Sequence, residues 1–471
     1  MRPLSSVNSD FGLSYFQNQA SLSDTGFQKE RTIMRHLILS LMVICPSFAI
    51  ANGIPSPVTD DDYRPIDLAE AELGQLLFYD PILSGNEEVA CATCHHPRLG
   101  TADGLSLGIG DGGIGLGPDR VVDMDNLPEQ RIPRNSPALF NLGAHEFTVL
   151  FHDGRIAVDP VKPGGLRTPL DADMVTGFVS LLSAQTMFPV LSPDEMAGHY
   201  GENDVSKAVR QGILTGSGGA WDVIARRVAG IDAYVDQFDA VYPAIQSADD
   251  IQFTDISNAI AAFIEHEWRS DSAPFDAALR GAAPLTGAAA LGMELFYGEA
   301  GCVACHSGAF QTDHGFHAMA APQVGPGKAA RFESHAKDEG RFRVTGDPAD
   351  LYKFRTPSLR NVAVTAPYGH AGSHATLEGF IRDHLDPLAA LNAYDAGQLV
   401  LPDLDVSDFR VLEDPAEMAA IAAAVTQPAV AMDDSQIAAL VAFLGSLTDP
   451  AAAAGRLGVP TSVPSGLDVP D

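Results

Sequence analysis

The sequence predicts a mostly α-helical protein of two similar domains with long loops. Three observations carry that expectation. Apolar residues recur at helical spacing over 203–229, 252–271, 284–297, 375–385 and 434–447. No convincing run alternates apolar and polar residues as a half-buried strand would. A segment is also repeated: Leu73-Gly74-Gln75-Leu76-Leu77-Phe78-Tyr79 in the first half and Leu291-Gly292-Met293-Glu294-Leu295-Phe296-Tyr297 in the second. On a helix the Leu, Leu and Phe of each copy share one stripe.

Each copy is followed by Cys-x-x-Cys-His, as Cys91-Ala92-Thr93-Cys94-His95 and Cys302-Val303-Ala304-Cys305-His306. That spacing attaches a c-type haem: two thioethers tether the porphyrin and the histidine binds iron. A four-cysteine zinc site is the alternative, but it needs no histidine directly behind each cysteine pair. Two haem c groups on two cytochrome-c-like domains follow, with each helical stripe able to pack on its porphyrin.

The 471 residues leave room for two or three domains. Residues 1–51 read as a leader. Met34 opens a basic start and a short apolar run ending in Ala49-Ile50-Ala51, a secretory signal too short to span a bilayer. We take Met34 as the true start and Cys45, behind the bulky Ile44, as a poor lipoprotein site. Export suits haem c and places the mature protein in the periplasm. The whole chain carries −32, and the leader holds three acids against four bases, which leaves −33 on the remainder. Such a charge excludes nucleic acid and anionic membranes as partners and keeps the protein soluble.

The first domain is expected over 62–280 and the second over 284–449, with Ser272–Pro284 as the junction. Residues 450–471, rich in Ala, Gly and Pro, read as a disordered tail. Gly110-Asp111-Gly112-Gly113-Ile114-Gly115 matches the dinucleotide fingerprint but follows no strand of a βαβ unit, so it reads as a flexible loop over the first haem.

With these motifs in place, the chain resembles the bacterial dihaem cytochrome c peroxidases, the group that includes MauG. The likeness runs through 62–449. It is carried by Leu73–Asp80, Cys91–His95, Arg134-Asn135-Ser136-Pro137, Phe151–Arg155, Gln185 to Met196, Cys302–His306, Gly340-Arg341-Phe342, Phe354–Asn361 and Thr365 to Gly372. The resemblance implies an open first haem that meets H₂O₂ and a six-coordinate second haem that relays electrons. His95 and His306 are the iron ligands on the attachment side.

Members that need reductive activation carry a removable histidine in the loop behind the first motif. Here that stretch is Ser106-Leu107-Gly108-Ile109, and no histidine occurs between His96 and His145. The first iron is therefore expected to stay open, with His145 and His152 the remaining candidates to reach it. The resemblance makes Glu195 the acid/base for peroxide and Gln185 its orienting partner, with Pro189 between them. By residue type alone Glu195 reads as an acid in the first turn of a helix.

The relay ligand of the family falls fourteen residues beyond the histidine of Pro-Tyr-x-His; counting from His370 gives His384. It shares a helical face with Leu377, Phe380, Ile381 and Leu385. Such a histidine is commonly a core residue, position makes it the ligand, and Met319 is the alternative. Bis-histidine ligation lowers the potential relative to His/Met. The tryptophan that typical members hold between the haems is replaced by His152, and neither Trp221 nor Trp268 falls there. An interdomain Ca²⁺ site is implied at Asn135, Thr365 and Pro367, whose hard oxygens suit that ion; a turn asparagine without metal is the alternative.

The leading expectation is a peroxidase fed by a small cytochrome or cupredoxin. Next comes a MauG-like oxidase that uses high-valent iron to oxidise aromatic residues of a partner protein. A plain dihaem electron carrier comes last, since it needs neither an open iron nor Gln185 and Glu195.

Overall fold

The computed structural model describes residues 53–328 and 333–470. The leader, with Met34 and Cys45, lies outside them. The helices that frame the two motifs are α1 (Leu68–Tyr79), α2 (Leu181–Thr186), α3 (Phe253–Glu267), α4 (Pro274–Leu279), α5 (Gly287–Phe296), α6 (Leu377–Leu385), α7 (Asp434–Gly445) and α8 (Pro450–Ala454). Strands among the described residues are two or three residues long and pair only as small antiparallel ladders, such as Val149–Leu150 with Ile156–Val158 and Phe316–His317 with Phe354–Arg355. The expected helix over 203–229 is two, Asp204–Arg210 and Ala220–Ala229. They are separated where Gly212, Gly216 and Gly218 adopt positive φ.

The sequence repeat is a repeat in space. α1 crosses α3, and α5 crosses α7. A Cβ on Gly74 would run into Ala259 O and lie 2.9 Å from Phe263 Cβ; one on Gly292 would run into Ala439 O and lie 2.8 Å from Phe443 Cβ. Glycine is what lets each helix pair approach so closely. Beside the crossings, Phe78 meets Phe263 with ring centroids 5.1 Å apart at 53°, and Phe296 meets Phe443 at 5.1 Å and 55°. The Phe of each stripe thus packs on the crossing helix.

Two apolar cores follow from the two crossings. The first gathers Phe78, Tyr79, Trp221, Tyr234, Phe238, Phe263 and Trp268; the second gathers Phe275, Phe296, Tyr297, Leu440 and Phe443. Phe275 corrects the expected boundary. The junction contains α4, and Phe275 is fully buried in the second core, 5.4 Å from the Phe443 ring. Next to it Asp276 pairs with Arg360 at 2.7 Å, both side chains wholly buried. The second core therefore begins near 274 instead of 284.

The tail is likewise not disordered. Asp449 caps α8, and the chain then runs along the first core, where Leu457, Val459, Val463 and Leu467 pack. Its polar backbone is satisfied at fixed points: Leu457 N and Gly458 N donate to the buried Glu267 carboxylate (2.6 and 2.9 Å), and Ser465 Oγ donates to Asp80 (2.7 Å). Composition suggested disorder, but spaced apolar residues and waiting carboxylates order it.

No described helix is long and apolar enough to cross a membrane.

Candidate active site and haem-attachment sites

Both motifs form one tight turn that presents its histidine in the same way. His95 Nδ1 bonds Thr101 O (2.9 Å) and His306 Nδ1 bonds Gln311 O (3.1 Å). Fixing Nδ1 leaves Nε2 as the nitrogen for iron and sets the ring's orientation. Burial pushes both imidazoles below their usual pKa, His306 to about 4, with His384 adding to the effect there. A neutral imidazole is what iron binds. Ser136 steadies the first site, donating to Cys94 O (2.7 Å) with its hydroxyl 3.3 Å from His95 Nδ1.

The four motif cysteines form no disulfide with one another. They do not converge on a zinc site: among the described residues the group of three possible ligand atoms is Cys305, Asp313 and His317. Separate cysteine pairs, each backed by a histidine with its Nδ1 fixed, fit covalent haem c.

Glu195 lies in a wide, π-type turn, Pro193–Ala197, closed by Ala197 N donating to Ser192 O (2.9 Å). Burial raises its pKa; Lys328 and Arg155 oppose that, and Asp194 adds to it. It lies in electrostatic reach of Cys94. Gln185, in the last turn of α2, has a buried Oε1 without a hydrogen-bond partner, the state of a group that awaits a ligand. Pro189 opens the short turn between them.

The glycine-rich loop packs on the backbone of Glu195. Asp111 N donates to Glu195 O (3.0 Å), and a Cβ on Gly110 would lie 2.5 Å from Asp194 O. The buried Arg120 donates to Ile109 O (2.6 Å), Gly110 O (2.6 Å) and Gly115 O (2.5 Å). One guanidinium thus clamps three carbonyls of this loop.

The loop behind His95 is tied to the second domain. Ser106 Oγ donates to Gly372 O (2.7 Å) and accepts from Val400 N (3.0 Å), while Leu107 is wholly buried against Val324 and Ala371. His145 is exposed, its backbone N–H bonded to Asp62 O. His152 sits where the domains meet. Its carbonyl accepts from Arg355 N (2.7 Å), and its imidazole is held well below its usual pKa by burial, then by Arg134, His370 and Arg355.

His384 occupies the last turn of α6 with Nδ1 bonded to Phe380 O (3.0 Å), again leaving Nε2. It is in electrostatic reach of His306. Leu377 and Ile381 of the same face pack on the second core, as the pattern predicts. Met319 is half-buried just beyond the strand Phe316–His317.

Asn135 donates its backbone N–H to His370 O (2.8 Å) and its amide to Leu105 O (2.8 Å), leaving the side-chain oxygen for a cation. Thr365 abuts the loop behind His95, its Cα 3.3 Å from where a Cβ on Gly100 would stand. Pro367 is buried. The segments that carry these residues thus meet across the domain boundary.

One hub was not foreseen. Arg134 donates to Asp338 (2.6 and 2.8 Å) and to Asp153 (2.7 Å), all buried. Its guanidinium also lies 5.7 Å from the Phe354 ring, which stacks on His370 at 3.8 Å. Arg134 opens the Arg134-Asn135-Ser136-Pro137 segment, but no local pattern reveals a partner two hundred residues away.

A family model for di-haem cytochrome c peroxidases matches residues 68–284. The methylamine utilization protein MauG of Methylorubrum extorquens is 30% identical over 331 residues, 70% of this chain and 72% of that one. The cytochrome c peroxidase Ccp of Escherichia coli is 31% identical over 347 residues, 73% of this chain and 57% of that one. A crystal structure of a MauG-like protein associated with microbial copper homeostasis superposes with a TM-score of 0.53 at 27% identity, covering 85% of this chain and 94% of its own. The fold and the paired sites define an oxidoreductase of the cytochrome c peroxidase type. The chain belongs to the dihaem cytochrome c peroxidase family, MauG included, and two haem c groups are the cofactors this membership implies.

Proposed function

We propose that the protein is a periplasmic dihaem peroxidase that reduces H₂O₂ to water at the His95 site, with electrons entering through the His306 site from a small cytochrome or cupredoxin. When bound, each haem supplies an iron that carries electrons, and the residues around the two sites divide the work. The observation that carries the reading is the unequal surroundings of two matching motifs. In electrostatic reach of Cys94 of the first stands the half-buried acid Glu195, ten residues beyond Gln185 with its unpartnered amide oxygen; in electrostatic reach of the second stands His384, whose Nδ1 is bonded and whose Nε2 is left.

Gln185 orients peroxide by hydrogen bonding. Glu195, as a carboxylate, takes the proton from the inner oxygen and returns it to the outer one, which leaves as water. Each turnover takes two electrons and two further protons and yields two waters. Cys91, Cys94 and His95 hold the first haem; Cys302, Cys305, His306 and His384 hold the second, with Met319 as the alternative to His384. Asn135, Thr365 and Pro367 supply oxygens for Ca²⁺ at the domain boundary.

A second reading is oxidation of an aromatic side chain on a partner protein. It is favoured by the loop behind His95, which has no histidine to offer and is bonded to the second domain through Ser106. Adding H₂O₂ to the ferric protein with and without a reduced cytochrome c separates the two. Rapid donor oxidation supports the peroxidase. Slow decay of the oxidised protein, indifferent to the donor, supports the second reading.

A further inference from the structure

A second segment is repeated beside the attachment motifs: Ser136-Pro137-Ala138-Leu139-Phe140-Asn141 in the first domain and Thr356-Pro357-Ser358-Leu359-Arg360-Asn361 in the second. The copies match in space as well. Asn141 N donates to Trp268 O (3.1 Å), just beyond α3, and Asn361 N donates to Leu447 O (3.1 Å), just beyond α7. Ser136 and Thr356 are therefore counterparts, yet their hydroxyls are used differently. Ser136 Oγ donates to Cys94 O (2.7 Å), and the same oxygen lies 3.3 Å from His95 Nδ1 and 3.5 Å from Nε2. Thr356 Oγ1 donates to Gly315 O (3.5 Å). The His306 ring has the Gln311 carbonyl at 3.1 Å, and among the described residues no hydroxyl bonds to it.

The backbone on either side holds Ser136 in place. Before it, Asn135 N donates to His370 O (2.8 Å) and Arg134 pairs with Asp338 at 2.6 Å, both partners lying in the second domain. After it, Leu139 N donates to Thr101 Oγ1 (2.8 Å). Thr101 is also the residue whose carbonyl meets His95 Nδ1 (2.9 Å), so ring, carbonyl and hydroxyl form one linked unit. The Ser136 O–H is directed to Cys94 O, which leaves its lone pairs for the imidazole. The negative end of that dipole favours the positive charge a histidine ligand shares when its iron gives up an electron. Partners of this kind raise the basicity of a ligating histidine and tune the metal it holds.

We propose that Ser136 is a positioning residue for the first haem: its hydroxyl oxygen, held against the His95 imidazole, makes His95 a stronger electron donor to iron and favours the oxidised state of that haem. The inference rests on His95 being the ligand of an open first haem. It gives the two matching motifs unlike irons on the attachment side as well, where a hydroxyl serves one histidine and its counterpart serves a backbone carbonyl. Because Arg134 and Asn135 are anchored on the second domain, that domain helps to set where the hydroxyl stands.

The test is a spectroelectrochemical titration of the full haem-loaded protein, with the two haems followed by their high-spin and low-spin bands. Ser136→Ala should move the ferric/ferrous equilibrium of the first haem about tenfold toward ferrous, a rise of about 59 mV for one electron. Ser136→Thr, which restores a hydroxyl, should titrate as wild type. The second haem should be unchanged in both variants, reporting an intact fold. In the reduced protein, the iron–histidine stretching band of the first haem, read by resonance Raman, should fall in frequency in S136A alone. An S136A potential equal to wild type overturns the inference. So does an S136T shift as large as that of S136A, or an equal shift of both haems, since either would mean that Ser136 acts through packing. If the wild-type ferric spectrum lacks a high-spin component, the reading of an open first haem fails and the inference with it. If that component is present and S136A titrates as wild type, the inference alone fails.

Discussion

The Ser106 hydroxyl donates to the carbonyl of Gly372 at 2.7 Å, joining the loop behind the first haem-attachment motif to the second domain. The family resemblance implies a removable histidine in this loop for members that need activation. Here it carries Ser106 and Leu107, and both are anchored across the domain boundary, one by hydrogen bonds and one by burial.

That anchor makes Gly372 sensitive to size. Its φ is +57°, and a Cβ would lie 2.6 Å from Ser106 O. Gly372→Ala should cost about 2 kcal/mol or more through the left-handed backbone and the displaced loop. Thermal unfolding monitored by circular dichroism should show a clear fall in Tm, with both haems still attached.

The Asp276–Arg360 pair is wholly buried at 2.7 Å, and Arg360 also donates to Ala309 O (2.6 Å). Asp276→Ala leaves the guanidinium buried without its counter-charge and should destabilise the second core by about 3–5 kcal/mol. Urea unfolding should show the midpoint falling. Asp276→Asn, which keeps one acceptor, should lose less.

Acid should weaken the domain boundary through His370. Burial pushes this imidazole to about 4, with Asp338 pulling it up and Arg134 down. Its folded value lies below the unfolded one of about 6.5, so the unfolded chain binds the extra proton more readily. Stability should therefore be independent of this group above about pH 7 and decline as pH falls from 6.5 toward 4. Denaturation at pH 8 and pH 5 checks the direction, and His370→Gln should flatten that part of the profile.

Removal of calcium should act at the same boundary. Chelation by EGTA is expected to lower Tm and slow the peroxide reaction, and added Ca²⁺ should restore both, since an ion that binds only the folded state stabilises it by mass action. Asn135→Ala should abolish the response to chelation and to added Ca²⁺ alike.

Replacing His384 by Ala should alter the low-spin spectrum of the second haem while leaving the first haem's spectrum in place. An unaltered spectrum would transfer the ligand role to Met319.

Much of the fold was legible because its signals are local. The Leu-Gly-x-x-Leu-Phe-Tyr repeat announces the two helix crossings, since only glycine at 74 and 292 permits the approach to Ala259 and Ala439. The α6 stripe is local too, and Leu377 and Ile381 pack on the second core as its pattern predicts. What the sequence hides are pairings across long separations. Arg134 meets Asp338, Ser106 meets Gly372, and the segment beyond Asp449 lies on the first core, partly because Glu267 and Asp80 accept its donors. Phe275 was hidden too, because a short helix inside a Pro- and Gly-bearing stretch resembles a linker until its ring is seen against Phe443.

On the proposed function, two matching attachment motifs hold unlike irons, one open beside Gln185 and Glu195 and one closed by His384. Electron paramagnetic resonance of the resting ferric protein tests it most directly. One high-spin and one low-spin signal of equal weight are expected, with no reductive treatment. Two low-spin signals would contradict it.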